Sequence, residues 1–327
     1  MRILIAIRDP LLREKILSQN ALELLERLGT CDVLHDEELK DVIGNYEAVI
    51  TGWRSEKLTD EVLDRATDLE FIGHSAGTVV PYMDESVFSR GIRVVNANRV
   101  LARATAEGAF AMIQASSWKL AEYADTLRNG NWSDNEHDEV PGLAGKTLGL
   151  VGFGDITRQM IRLAGPYDMK ILVASGHMTQ QDAETLGVIH TDLETLLMQS
   201  DIISLHNTLT SATRGMIGDR EFSMMKDGAL FVNTARGPIV QSDALIRALE
   251  TGRIRAVVDV YDSEPLPSDH PFRKLKNLSL YPHIAAFAST WKHELVHCVA
   301  EDLERFCKGE PLMGEITAEK FRRLTPR

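Results

Sequence analysis

Arg236, Glu264 and His283 are the side chains of this sequence best suited to chemistry: a guanidinium, a carboxylate and an imidazole, each just past a short apolar run. In Asn233-Thr-Ala-Arg-Gly237 the guanidinium can hold a carboxylate through two parallel hydrogen bonds and polarise a neighbouring carbonyl. Val257-Val-Asp-Val-Tyr-Asp-Ser-Glu-Pro265 ends a second run with three carboxylates, of which Asp259 and Glu264 stand out. Tyr281-Pro-His-Ile-Ala285 ends a third with a histidine. Taken singly, each has a plainer reading: a structural ion pair, solvated loop acids, a structural imidazole. On three successive strand ends they form a proton-exchanging, anion-binding set at the edge where open α/β sheets bind ligands.

The elements that must position them begin with Leu148-Gly-Leu-Val-Gly-Phe-Gly-Asp-Ile156. Leu148, Leu150 and Val151 read as a buried strand, Gly152 and Gly154 as a tight turn, and Ile156, Met160, Ile161 and Leu163 recur at helical spacing. Strand, glycine turn and helix present backbone N–H groups and a positive helix end to a pyrophosphate. Thr157 stands at the third glycine of G-x-G-x-x-G, so this stretch alone is equally an ordinary turn.

Six strands are expected after it or with it, at 147–151, 170–174, 202–206, 229–233, 256–259 and 278–281, with helices between them, as in a doubly wound dinucleotide fold. Upstream, 2–7, 33–35, 47–52, 69–73 and 92–96 read as strands of a first alternating unit. One helical run is expected over 11–28, and Thr59 is placed to cap another. Residues 101–127 are alanine-rich with apolar side chains on several faces, which predicts a long helix buried nearly all round. The acidic stretch 133–140 is expected to be a surface loop, and a last helix to span 291–307.

A chain of 327 residues has room for two domains of ordinary size. The net charge of −12 argues against nucleic acid or an anionic membrane as partner, though not against a small anionic metabolite. Cys31, Cys298 and Cys307 form no C-x-x-C pair and suit a reducing compartment, no metal is assigned, and the apolar run 3–7 is too short for a leader or a membrane span. A cytoplasmic protein is expected.

With these motifs the sequence resembles the D-isomer-specific 2-hydroxyacid dehydrogenases, among them phosphoglycerate dehydrogenases, glyoxylate and hydroxypyruvate reductases, and D-lactate and formate dehydrogenases. The resemblance rests on 152–156, on 201–206 with the following Leu-Thr, on 233–237, on Asp259 with Glu264-Pro-Leu-Pro267, and on Pro282-His-Ile-Ala285. It implies an α/β protein of two doubly wound parallel-sheet domains. A Rossmann-type nucleotide domain (99–287) would be inserted in a flavodoxin-like substrate domain (1–98 and 288–327), and the molecule would be a homodimer.

It further implies that Arg236 binds the substrate's carboxylate and carbonyl, that His283 is the acid/base, and that Glu264 hydrogen-bonds the other ring nitrogen and favours the imidazolium. NAD or NADP would be held by Gly152, Gly154, Asp155, Ile156, Ser175, Asn207, Thr234, Ala235 and Arg236, with Asp259 and His283 beside it. The amides of Ala76, Gly77 and Thr78 would bind the substrate carboxylate. Several positions depart from the family pattern: Thr157; Ser175, where an acid usually ends the second strand; Asn207-Thr208, which lacks the usual proline; Val79, usually acidic; and Arg54, where a glycine more usually follows the tryptophan, here Trp53. The activity expected is reduction of a small 2-keto acid, hydroxypyruvate or glyoxylate ahead of others. Phosphoglycerate, formate or phosphonate oxidation are the enzymatic alternatives, and a nucleotide-sensing corepressor or scaffold the non-catalytic one.

Overall fold

Five short parallel strands carry the first unit of the chain: β1 (Arg2–Ile5), β2 (Thr30–Val33), β3 (Ala48–Thr51), β4 (Phe71–His74) and β5 (Arg93–Asn96). The structure, a computed structural model, describes residues 1–133 and 139–323, so most of the expected 133–140 loop lies outside the described residues. The sheet order is β5-β4-β3-β1-β2, with Glu315–Ile316 added antiparallel beside β5. This is the flavodoxin-like strand order with an extra edge strand. Leu4, Val49, Ile72 and Val94 point into one apolar cluster, and Ile3, Ile5, Ile50, Phe71 and Val95 into another. Alternate residues buried in two cores mark a sheet covered on both faces. Leu295, Val296, Val299 and Leu303 of helix Leu295–Cys307 belong to the second cluster, and the unit comprises Met1–Ala102 and Phe287–Arg327.

The other unit, Arg103–Ala286, is a wholly parallel sheet of seven strands. These are β6 (Thr147–Val151), β7 (Lys170–Ala174), β8 (Ile189–Thr191), β9 (Ile202–Leu205), β10 (Leu230–Asn233), β11 (Arg255–Val258) and β12 (Leu278–Leu280). Their order, β12-β11-β10-β9-β6-β7-β8, is the doubly wound dinucleotide order with one strand more. Val151, Leu172, Phe231 and Val258 face one core, and Leu150, Val173, Val232 and Val257 the other.

Local chemistry decides the points at which the elements differ from expectation. The run 11–28 is two helices, because Asp9 caps Pro10–Ile16 by accepting the N–H of Leu11 (3.0 Å), while Ser18 caps Gln19–Leu28. Leu17 is extended between them. Thr59 caps Asp60–Arg65 as expected, accepting from Val62 N. The long alanine-rich helix stops at Ser117 and resumes as Leu120–Arg128, the break falling on Lys119 with a left-handed φ of 49°. Nor is it buried all round: Trp118, Leu120 and Leu127 are each more than half exposed. The two missed strands, β8 and Glu315–Ile316, are three and two residues long at sheet edges, too short to show a period.

Candidate active site

Parallel strands bring their C-terminal ends to one edge, and in the second unit that edge collects the residues singled out above. β6 runs into Gly152, β7 into Ser175, β9 into Asn207, β10 into Thr234–Arg236, β11 into Asp259 and Glu264, and β12 into His283. At Gly152 φ is +100°, and a Cβ there would lie 2.8 Å from Asn207 N, so the turn admits only glycine. Asp155 opens helix Asp155–Ala164 and Ile156 packs onto the apolar cluster beneath it. Thr157, the departure from the glycine pattern, is fully buried and donates its hydroxyl to Gly152 O at 2.9 Å, so the turn absorbs it locally.

Along the same edge, Thr234 Oγ1 and Asn207 Oδ1 are shielded from solvent and have no hydrogen-bond partner among the described residues, while Asn207 Nδ2 reaches Met216 Sδ at 3.0 Å. Unsatisfied buried polar atoms beside a glycine turn and a helix N-terminus fit the sugar and amide groups of a dinucleotide. Ser175 Oγ accepts the N–H of His177 (3.2 Å). Arg158 lies 4.2 Å above the Phe153 ring and pairs with Asp182 at 3.2 Å.

The Arg, Glu and His segments are braced by their own backbones. Asn233 fixes the turn that carries Arg236: its Oδ1 accepts from Ala235 N (3.1 Å) and its Nδ2 donates to Arg236 O (3.0 Å). Arg236 is exposed, and its Nη1 donates to Ala235 O at 2.7 Å. His283 Nδ1 meets Glu264 Oε2 at 2.6 Å, and Glu264 Oε1 accepts the N–H of Tyr261 at 3.1 Å. Glu264 is thereby held at both oxygens, and Nε2 is the ring nitrogen left to a reactant. Tyr261, which sequence reasoning passed over, donates its hydroxyl to Tyr281 O (2.7 Å) and so ties the end of β11 to that of β12. Burial pushes the pKa of that phenol up to about 12, which keeps it a donor.

Asp259 is fully buried and grips the histidine's loop, accepting from Ile284 N at 2.7 Å and Ala285 N at 2.9 Å. His283 itself adopts a left-handed φ of 56°, which those two bonds stabilise. Burial raises the Asp259 pKa, and the two amides oppose the rise.

The first unit holds Ala76, Gly77 and Thr78 in the loop after β4. Val79, in place of the usual acid, is buried in that unit's core. Trp53 and Arg54 follow β3; Arg54 has φ 64°, pairs with Asp9 at 3.2 Å, and its side chain is 80% exposed.

A sequence model of the D-isomer specific 2-hydroxyacid dehydrogenase NAD binding domain matches residues 110–285. A glyoxylate reductase of Thermococcus litoralis is 35% identical over 305 residues, 89% of this chain and 92% of that protein. A D-3-phosphoglycerate dehydrogenase of Archaeoglobus fulgidus is 34% identical over 97% of this chain but 59% of its own length. A crystal structure of a phosphoglycerate oxidoreductase from Rhizobium etli shares the fold with a TM-score of 0.83 at 27% identity, over 97% of this chain and 98% of that one. The chain belongs to the D-isomer specific 2-hydroxyacid dehydrogenase family. It is accordingly an oxidoreductase, and its second unit carries the family's NAD binding domain in a Rossmann-type fold.

Proposed function

We propose that this enzyme reduces a small unbranched 2-keto acid, glyoxylate or hydroxypyruvate, to the 2-hydroxy acid. The observation that carries the reading is the His283–Glu264 pair at 2.6 Å on the sheet edge that also carries Arg236. Similarity to glyoxylate reductases over most of both chains favours glyoxylate over a phosphorylated acid. When bound, the nicotinamide supplies the hydride that C2 accepts. His283 holds the proton at Nε2 and delivers it to the carbonyl oxygen as the alkoxide develops, while Glu264 balances the imidazolium charge from Nδ1. Arg236 binds the carboxylate with its planar fork and polarises the carbonyl. The amides of residues 76–78 are read as carboxylate donors of the first unit, and Asp259 holds the loop that aims His283.

The protein is further read as a cytoplasmic homodimer. Three unpaired cysteines support the compartment, and the exposed apolar side chains Trp118, Leu120, Leu127 and Trp132 support self-association. Sedimentation equilibrium giving a monomer at micromolar concentration would remove the dimer.

Turnover is tested by loss of reduced-cofactor absorbance against a panel of 2-keto acids, glyoxylate and hydroxypyruvate included. His283→Asn should lower kcat for reduction by about 10²–10⁴-fold with cofactor affinity little changed, the usual weight of general acid catalysis. No turnover of any 2-keto acid by the parent enzyme, or full activity in His283→Asn, defeats the proposal.

A further inference from the structure

Asp302, on helix Leu295–Cys307, is a fully buried acid that the reaction does not use. Both of its oxygens accept backbone hydrogen bonds, Oδ1 from Met313 N at 2.6 Å and Oδ2 from Gly314 N at 2.9 Å. Gly314 O then accepts the N–H of Asn96, at the end of β5, at 3.0 Å. The approach is close: a Cβ on Gly314 would collide with the Asn96 carbonyl oxygen and come within 3.0 Å of Asp302 Oδ2. Residues 315 and 316 continue as the edge strand opposite Val95 and Val94.

Asn96 passes the constraint on. Its Nδ2 donates to Gly77 O at 2.6 Å and its Oδ1 accepts from Asn98 N at 3.3 Å. The N–H of Ala97 is shared between His74 O and Ala76 O, at 3.2 and 3.1 Å. The carbonyls of the loop after β4 are therefore tied back to β5. On its other side, the amides of Gly77 and Thr78 have no acceptor among the described residues, and the shielded Thr78 hydroxyl has no partner either. A turn with its carbonyls anchored and its amides unpaired is a donor site for an anion.

We propose that Asp302 is a positioning residue for substrate, fixing the Gly77 and Thr78 amides through Gly314 and Asn96. The inference rests on the reading of residues 76–78 as the carboxylate site. A carboxyl group fits the task because it offers two acceptors to two consecutive N–H groups; an amide would turn its own donor against one of them. Loss of the anchor leaves the loop's conformation unpinned, which weakens carboxylate binding equally in the ground and transition states.

The test is steady-state kinetics of Asp302→Asn and Gly314→Ala with glyoxylate, alongside NADH affinity by fluorescence titration and melting temperature. Both variants should raise the KM for glyoxylate about tenfold, the weight of one well-made hydrogen bond, with kcat within about twofold and NADH affinity unchanged. Gly314→Ala perturbs the link from the backbone side, so it decides the matter if Asp302→Asn does not fold. Gly77→Val, which strikes the loop itself by crowding Asn98 and Leu101, separates the two ideas. If it raises KM while Asp302→Asn and Gly314→Ala lower only the melting temperature, Asp302 is structural and the carboxylate site stands. If Gly77→Val also leaves KM unchanged, the carboxylate reading of the loop fails and the positioning role fails with it.

Discussion

Replacing His74 by Gln should flatten the acid side of the first unit's stability curve. His74 ends β4, is fully buried, meets Thr51 Oγ1 at 2.9 Å through Nδ1, and lies with its ring 4.6 Å from that of Tyr82. Burial pushes its pKa down to about 3, against about 6.5 in an unfolded chain. Between those values the unfolded chain binds a proton that the folded chain does not, so folding stability falls as pH falls, by ~1.4 kcal/mol per unit. From pH 6.5 to 5 the loss comes to roughly 1.6 kcal/mol, or about 3–6 °C in melting temperature for a unit of this size.

Carboxylates of the first unit with lowered pKa, such as Asp9 and Glu47, lose their contribution from the ordinary acid range downward, so the window from pH 6.5 to 5 belongs to histidine. Gln keeps a polar partner for Thr51 and does not titrate. Lost packing shifts the whole curve, so the slope and not the absolute melting temperature is the observable. Calorimetry at half-unit steps from pH 5 to 7 measures it. A His74→Gln protein that still loses as much between pH 6.5 and 5 as its parent shows that the buried ring was never the group responsible. His206, with both ring nitrogens shielded and a pKa lowered by burial to about 4, should give the second unit the same slope through the same window.

Arg236→Lys keeps the charge but not the planar fork, so the KM for keto acids should rise steeply with some loss in kcat; parent-like kinetics would make the arginine structural. Arg54→Gly should change the ratio of kcat/KM between 2-keto acids with a charged side chain and those with an uncharged one. Its φ of 64° suits glycine, and its ion pair with Asp9 is too exposed to contribute much stability. Equal losses on every substrate would remove Arg54 from specificity. The parent enzyme should use NADH and NADPH within about tenfold, ~1.4 kcal/mol, because Ser175 offers no charge to repel a 2′-phosphate. Ser175→Asp should produce a clear NADH preference, and a parent several-hundredfold selective for NADH would require another acid near the ribose.

The parts of the molecule that were legible beforehand are those with a period or a local partner. The buried runs of β1, β3, β6 and β10 show in their unbroken apolar residues, and the cap at Thr59 in its sequence alone. That Arg236, Glu264 and His283 come to one edge was legible because strand ends of a doubly wound sheet must meet there. What escaped depends on distant partners. Tyr261 sits in a segment read for its acids, and only the approach of β12 gives its hydroxyl the Tyr281 carbonyl. Lys119 in a left-handed conformation leaves no mark in the sequence, since lysine is a common helix residue. The Asp302–Gly314–Asn96 link spans most of the chain through backbone amides, which every residue possesses.

The departures from the family pattern divide along the same physical line. Thr157 lies in the interior, and its hydroxyl is satisfied by Gly152 O, so the glycine turn keeps its shape without the third glycine. Val79 is buried among Leu58, Ile72 and other apolar side chains, where an acid would need a counter-ion that valine makes unnecessary. Both changes are compensated within their own unit and leave the site's framework in place. Ser175 and Arg54 stand instead at the C-terminal edges of β7 and β3, with their polar atoms at or near the surface. At such edges a change of charge is not neutralised by packing and acts directly on whatever binds there. Differences in substrate and cofactor choice between this enzyme and its relatives should therefore trace to those two positions, and exchanging them should move specificity without moving the fold.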